Sequence, residues 1–168
     1  MSTIIQKEIP EQYQAVHEIL ITCFKSDAES KLVTALRKKG MVILSLVAVQ
    51  NGNVAGHILF TPVTTTPFSN IKGLGLAPLA VKPEYQKQGI GAQLVQEGLR
   101  LCAEFGYDYI VLLGNPEYYQ RFGFKKASGF GLQNEYGVDE SFMIIKLTDC
   151  DLQNVMIHYC QEFSLFSV

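Results

Sequence analysis

Two apolar, β-branched runs, residues 42–49 and 54–63, stand on either side of Asn51-Gly52. Asn-Gly supplies the two left-handed positions of a two-residue hairpin turn, so this dipeptide folds the chain back on itself. The runs are therefore expected as a hairpin of two well-buried strands. A third strand is expected over 74–81, beyond the loop 64–70, and Pro83 breaks it. The centre of the chain thus belongs to a sheet.

On either side of this centre the apolar period changes to three and four. Pro10 opens a helical stretch that places Tyr13, Val16, Leu20, Cys23 and Phe24 on one face. Ser26 and Asp27 read as the N-cap of a second helix carrying Leu32, Ala35 and Leu36, which Gly40 stops. A longer helix is expected over 89–105, with Ile90, Leu94, Leu101, Cys102 and Phe105 inward and Gly106 at its end. Residues 109–113 read as a short strand buried on both faces. One or two helical turns over 116–122 close at Gly123, and the last strands are expected at 142–147 and 155–159. With a short first strand at 4–6, the order is β-α-α-β-β-β-α-β-α-β-β, a mixed α/β domain.

Composition narrows the class. At 168 residues, 48% of them hydrophobic and 18% charged, the chain is expected to be one domain, residues 1–168, and disorder is excluded. The net charge is −2, with no basic stripe, so nucleic acid is not the expected partner. Cys23, Cys102, Cys150 and Cys160 form no CxxC pair and no histidine stands at metal-ligand spacing, which reads as four reduced thiols and no metal. Neither a signal pattern nor a run near the ~20 apolar residues of a membrane span is present. The expected setting is cytoplasmic, with no membrane partner.

Chemistry is concentrated in 74–94. There the polar turn Gln86-Lys87-Gln88-Gly89-Ile90-Gly91 joins a strand to the first turn of a helix. Such a turn points several unpaired backbone N–H groups at one spot, reinforced by the positive end of the helix dipole. An anion, pyrophosphate above all, is the natural occupant, and Gly89 and Gly91 let its oxygens come close. No GxxxxGK[ST] string exists, and GxG lacks the third glycine of a dinucleotide fingerprint. The alternative is a plain strand–helix turn that needs glycine only for sharpness.

The segment Leu79-Ala80-Val81, Lys82-Pro83 and Gln86 to Gly91 resembles the acyl-CoA-binding motif [Q/R]-x-x-G-x-[G/A] of the GNAT superfamily of N-acetyltransferases. Tyr119-Gln120-Arg121-Phe122-Gly123-Phe124 resembles the family's Y-x-x-x-G-F, and the element order matches over nearly the whole chain. The resemblance implies a single α/β domain with a mixed, mostly antiparallel sheet of about seven strands and about four helices. It implies an N-acetyltransferase that uses acetyl-CoA as cosubstrate. Backbone groups of Leu79, Ala80 and Val81 are implied to meet the pantetheine arm and thioester. The amides of Gln86, Lys87, Gln88, Gly89, Ile90 and Gly91 are implied to bind the pyrophosphate. Asn115 corresponds loosely to an asparagine that contacts pantetheine, and Tyr119 to the tyrosine beside the thioester sulfur. The stretch from Asn115 to Tyr119 is shorter than usual, as in a branch of small bacterial predicted N-acetyltransferases.

Acyl transfer to an amine needs a neutral nucleophile, oxyanion stabilisation and a proton for the departing thiolate. A strand N–H near Ala80-Val81 is expected to serve the second need and Tyr119 the third. The base stays open, because 74–81 carries no carboxylate. His57 is one candidate, with a hydrogen-bonded core histidine as its plainer reading. Glu29 is another, with a solvated helix-face charge as its plainer reading, and water is a third. The acceptor is an unidentified amine, small molecule or protein, and the chain a monomer or homodimer. Its specificity surface is expected from the N-terminal helices, 63–73 and 128–141. Phe163, Leu165 and Phe166 are expected to tuck onto the core or a dimer partner. A non-catalytic acyl-CoA sensor or scaffold is the competing function.

Overall fold

Asn51 and Gly52 both take positive φ, 53° and 76°, as the two-residue turn requires. They join β2 (Leu44–Gln50) to β3 (Asn53–Thr66) in antiparallel register from Leu44↔Phe60 to Gln50↔Asn53. The computed structural model describes residues 2–166. Two compact units make up the chain. One holds the residues up to Phe60, Ala77–Gly98 and those from Gln161 on; the other holds Thr61–Leu76 and Leu99–Cys160.

In the first unit β1 (Thr3–Lys7) pairs antiparallel with β2, from Thr3↔Gln50 to Lys7↔Leu46. On the other edge of β3 lies the end of β4 (Gly73–Val81), whose neighbour Lys82 donates its N–H to the Ala55 carbonyl at 2.8 Å. Helix α1 (Tyr13–Phe24) buries Val16, Ile19 and Leu20, while α2 (Ala28–Lys38) buries Ser30, Leu32, Val33 and Leu36. Tyr13 and Phe24, expected inward, are exposed, and Ile19 takes their place. Asp27 makes no side-chain cap; Ser26 Oγ accepts the Ala28 N–H instead, at 3.1 Å. Gly40, at φ 68°, ends α2 with Met41 N–H on the Leu36 carbonyl, a Schellman arrangement. The first part of α3 (Ile90–Glu104) belongs here, as does α5 (Glu162–Leu165), which packs against α2. Phe163 is buried, as expected of the apolar tail, whereas Leu165 stands exposed.

The second unit is built on β5 (Tyr109–Leu113). It runs parallel to the start of β4 from Gly73↔Tyr109 to Gly75↔Val111. On its other side it is antiparallel to β8 (Phe142–Lys146), which pairs in turn with β6 (Lys125–Lys126). A second ladder sets β9 (Met156–His158) antiparallel to the end of β3 and parallel to β7 (Gln133–Asn134). The short helix α4 (Pro116–Tyr119) runs into a 3-10 turn over Gln120–Phe122. The result is an α/β fold with a mixed, mostly antiparallel sheet. Among the described residues it has nine strands and five α-helices, against about seven and four expected. The additions are two strands of two residues each and one helix of four.

Within the first unit Gly98 of α3 lies under the Phe60 ring, where an added Cβ would sit 2.5 Å from Cζ. Alanine ordinarily gains about 1 kcal/mol over glycine inside a helix. Here overpacking outweighs that gain, so Gly98→Ala is expected to lower stability by about 1–3 kcal/mol in urea unfolding.

Candidate functional site

The strand–turn–helix segment is in the first unit. After β4 a 3-10 turn, Pro83–Tyr85, leads into Gln86, Lys87, Gln88 and Gly89, all exposed. Lys87 takes φ 63° and Gly89 φ 81°. A Cβ built at Gly89 meets nothing within 4 Å, so the turn faces open space. The first helical bond runs from Gln93 N–H to the Gly89 carbonyl, at 3.0 Å. The N–H groups of Ile90, Gly91 and Ala92 therefore head α3 without an in-helix acceptor. Their partial positive charge sums with that of the helix at the same place. An anion suits the spot.

Two side chains tie this turn to the strand before it. Gln86 Nε2 donates to the Val81 carbonyl at 2.9 Å, and the Cys23 thiol of α1 donates to the same oxygen at 3.2 Å. Both lone pairs of that carbonyl are thereby engaged. Ala80 O lies 3.1 Å from where a Gly56 Cβ would be, so Ala80 faces β3, as does Lys82. By strand alternation the backbone groups of Leu79 and Val81 face the opposite edge. A Cβ at Gly56 would also crowd Leu94 at 3.1 Å, so glycine there lets β3 and α3 close on β4.

His57 is fully buried on β3. Its Nε2 lies 2.9 Å from Ser45 Oγ, which donates to Glu8 Oε1 at 2.8 Å. The Ser45 proton is thus committed to the carboxylate, which makes Nε2–H the donor and Nδ1 the unprotonated nitrogen. Arg37 closes the chain with a 2.6 Å ion pair to Glu8 Oε2 and stacks on the Tyr13 ring. Burial, with the Arg37 charge second, pushes the His57 pKa down to about 3. A nitrogen so weakly basic is poorly matched to taking a proton from an amine near neutrality. The placement is that of a core histidine at the end of a polar chain. Glu29 lies half-buried in the first turn of α2.

Asn115 and Tyr119 are in the second unit. Asn115 caps α4, its Oδ1 accepting the Glu117 N–H at 2.9 Å, and Pro116 takes the first helical position. Tyr119 is half-buried among Tyr118, Phe122 and Phe124, with centroid separations of 4.9, 6.4 and 5.8 Å. Burial, with Tyr118 second, pushes its phenol pKa up to about 12. The phenol therefore keeps its proton at any physiological pH. Two cavities open in this unit. One, about 410 Å³, is lined by Val63, Thr65, Phe68, Lys72 and Tyr107; the other, about 460 Å³, by Ser128, Gln133, Asn134, Asp139 and Met156. They fall in the two loop segments expected to carry specificity.

Several residues of these sites escape a reading by motif. Glu8, Ser45 and Arg37 reach His57 from 12 to 49 positions away in sequence, and Cys23 reaches Val81 from 58. His158 and His17, without sequence neighbours to explain them, find Thr66 and Glu135 in one case and Ser30 in the other. Lys126, exposed, pairs with Asp139 and Glu140.

Comparison with known proteins shows the family. The acetyltransferase (GNAT) family matches residues 13–124. An uncharacterized N-acetyltransferase of Escherichia coli strain K12, YhbS, is 39% identical over 167 residues, 97% of this chain and 99% of that protein. The crystal structure of Escherichia coli YhbS in complex with CoA superposes with a TM-score of 0.91 at 39% identity, covering 96% of this chain and 92% of that one. A GNAT-family acetyltransferase from Brucella melitensis, crystallised with acetyl-CoA, gives 0.82 at 32% identity, covering 96% and 98%.

Burial of His57 has a consequence for stability. Unfolded, its imidazole protonates near its ordinary pKa of about 6.5; folded, only near about 3. Between those values the unfolded chain binds more protons, so stability falls as the pH drops from about 6.5 toward 3. His57→Gln is expected to flatten that slope by about one proton's worth, read from urea unfolding in stepped acidic buffers.

Proposed function

The chain belongs to the GNAT family of N-acetyltransferases, and on that premise we propose that it transfers the acetyl group of acetyl-CoA directly to an amine within a ternary complex. One observation carries the donor assignment. The turn at Gln86, Lys87, Gln88 and Gly89 is exposed and open, and it delivers the N–H groups of Ile90 and Gly91, which have no in-helix acceptor, to a helix start. In this reading those amides hold the pyrophosphate. The outward edge of Leu79 and Val81 meets the pantetheine, with the Val81 N–H turned to the developing oxyanion. Asn115 contributes its Nδ2, since its Oδ1 is spent as a cap.

Tyr119 stands at the departing sulfur. A phenol with a pKa of about 12 is a weaker acid than a thiol, whose ordinary pKa is about 8.5, so it does not hand over its proton outright. It donates a hydrogen bond to the thiolate as the carbon–sulfur bond breaks. The proton that ends on sulfur is the one the attacking nitrogen sheds as the amide forms, and Tyr119 ends as it began. We assign that first proton removal to water rather than to His57, which is sealed in the core. The acceptor, its size and the oligomeric state stay open in this proposal. A single catalytic domain over 1–168 and a cytoplasmic setting belong to it, the second supported by four cysteines outside any disulfide and the need for acetyl-CoA.

Calorimetric titration tests the donor assignment. Acetyl-CoA and CoA are expected to bind the wild type, and Gly89→Glu, which places a carboxylate where the phosphates lie, is expected to weaken both by about 100-fold or more. No binding to the folded wild type overturns the reading. Tyr119→Phe is expected to lower kcat about 100-fold with little change in the acetyl-CoA KM, measured as thiol release across a panel of amines. Binding without thiol release from any amine would instead favour a sensor.

A further inference from the structure

Gly114 follows β5 directly, and its N–H donates to the Ser141 carbonyl at 2.9 Å, continuing the pairing of β5 with the strand beside it. Its φ lies outside the left-handed region, so nothing in the backbone calls for glycine there. The side-chain space does. A Cβ at Gly114 would lie 2.6 Å from Cε2 and 3.1 Å from Cδ2 of Tyr119, and 3.2 Å from Leu112 Cδ1. The Cδ2–Cε2 edge of the Tyr119 ring therefore occupies the space over the bare backbone at the end of the strand.

The ring has no easy retreat. Tyr118 meets it edge-on, and Phe124 and Phe122 bound it further. Its own backbone is fixed from below: Asn115 caps the helix through its side chain, and the Asn115 carbonyl takes the Tyr119 N–H at 3.1 Å. Tyr118 is itself pinned by Arg121, whose guanidinium lies 4.3 Å from that ring and whose Nε donates to the Tyr118 carbonyl at 3.0 Å. Helix start, aromatic neighbours and bare glycine thus leave one seat for the phenol.

We propose that Gly114 is a positioning residue for the acyl transfer: its missing side chain is the seat that sets where the Tyr119 hydroxyl stands. The inference rests on the reading of Tyr119 given above. It concerns a residue that has no side chain with which to touch cosubstrate or acceptor.

The test replaces Gly114 by alanine and reads rate, binding and ring position separately. Thiol release is followed from acetyl-CoA with a fixed pool of primary amines. Gly114→Ala is expected to lower kcat by about 10- to 100-fold while the acetyl-CoA KM moves less than about 3-fold, since an ångström of misplacement is costly to the chemical step alone. Adding Gly114→Ala to Tyr119→Phe is expected to cost nothing more. In NMR of 13Cζ-labelled tyrosine, with Tyr119→Phe identifying the signal, the Tyr119 resonance of Gly114→Ala is expected to shift and to titrate closer to an ordinary phenol. Should alanine unfold the wild-type background, the clash is read in Tyr119→Ser, where Gly114→Ala is expected to leave Tm unchanged. An unmoved Tyr119 signal, or losses that add in the double variant, overturns the role of Gly114. A wild-type rate in Tyr119→Phe overturns the premise instead, and the two failures are told apart by that single variant.

Discussion

One carbonyl oxygen fastens three elements of the first unit. The Val81 carbonyl ends β4 and receives the Cys23 thiol from α1 and the Gln86 amide from the turn. The strand end is half-buried, and those two donors satisfy its last carbonyl from within the protein. With them, the turn has a fixed origin, and the helix it enters starts where its open N–H groups converge. The position of the turn therefore depends on a strand end and a side chain within five residues of each other. Lys82, one residue on, turns back to β3 through Ala55, so the chain changes its allegiance between adjacent residues.

A second constraint is the Glu8 carboxylate, almost wholly buried. A lone buried carboxylate costs on the order of several kcal/mol, and such a charge persists only when paired and hydrogen-bonded. Arg37 and Ser45 do this here, and they draw together the first strand, the second helix and the second strand. Ser45 then has only its lone pair left for His57, which fixes the imidazole's tautomer. The Arg37 charge is still felt at the ring, where it adds to burial in disfavouring the imidazolium. One arginine thereby stabilises a carboxylate and helps keep a histidine neutral.

Local chemistry was legible and long-range assembly was not. Asn51-Gly52, Pro83, Gly40 and Gly106 act through their own backbones, and each punctuates the chain where its residue type requires. The helix start at Gly89 and the spacing of Tyr119 from Gly123-Phe124 were readable for the same reason. Strands of two residues show no alternation, and a helix of four shows no period, so β6, β7 and α5 left no trace in the pattern. His57 shows the harder limit. On its strand it reads as a residue that titrates near neutrality, and only partners distant in sequence turn it into a buried neutral link. Gly114 illustrates the converse: glycine before a turn invites a conformational explanation, while its neighbour is a ring five residues later.

The sulfur of Cys23 carries a further meaning. Acetyl thioesters exchange readily onto thiolates, so any ionised cysteine near a bound cosubstrate competes with the intended amine and leaves the protein acylated on itself. Cys23 is spent as a donor to Val81, and burial pushes its pKa up, while Cys102 is pushed up to about 12. A sulfur that keeps its proton is a spectator to thioester chemistry. On the proposed placement of the thioester beside Val81, the burial that keeps Cys23 protonated also withholds a rival nucleophile.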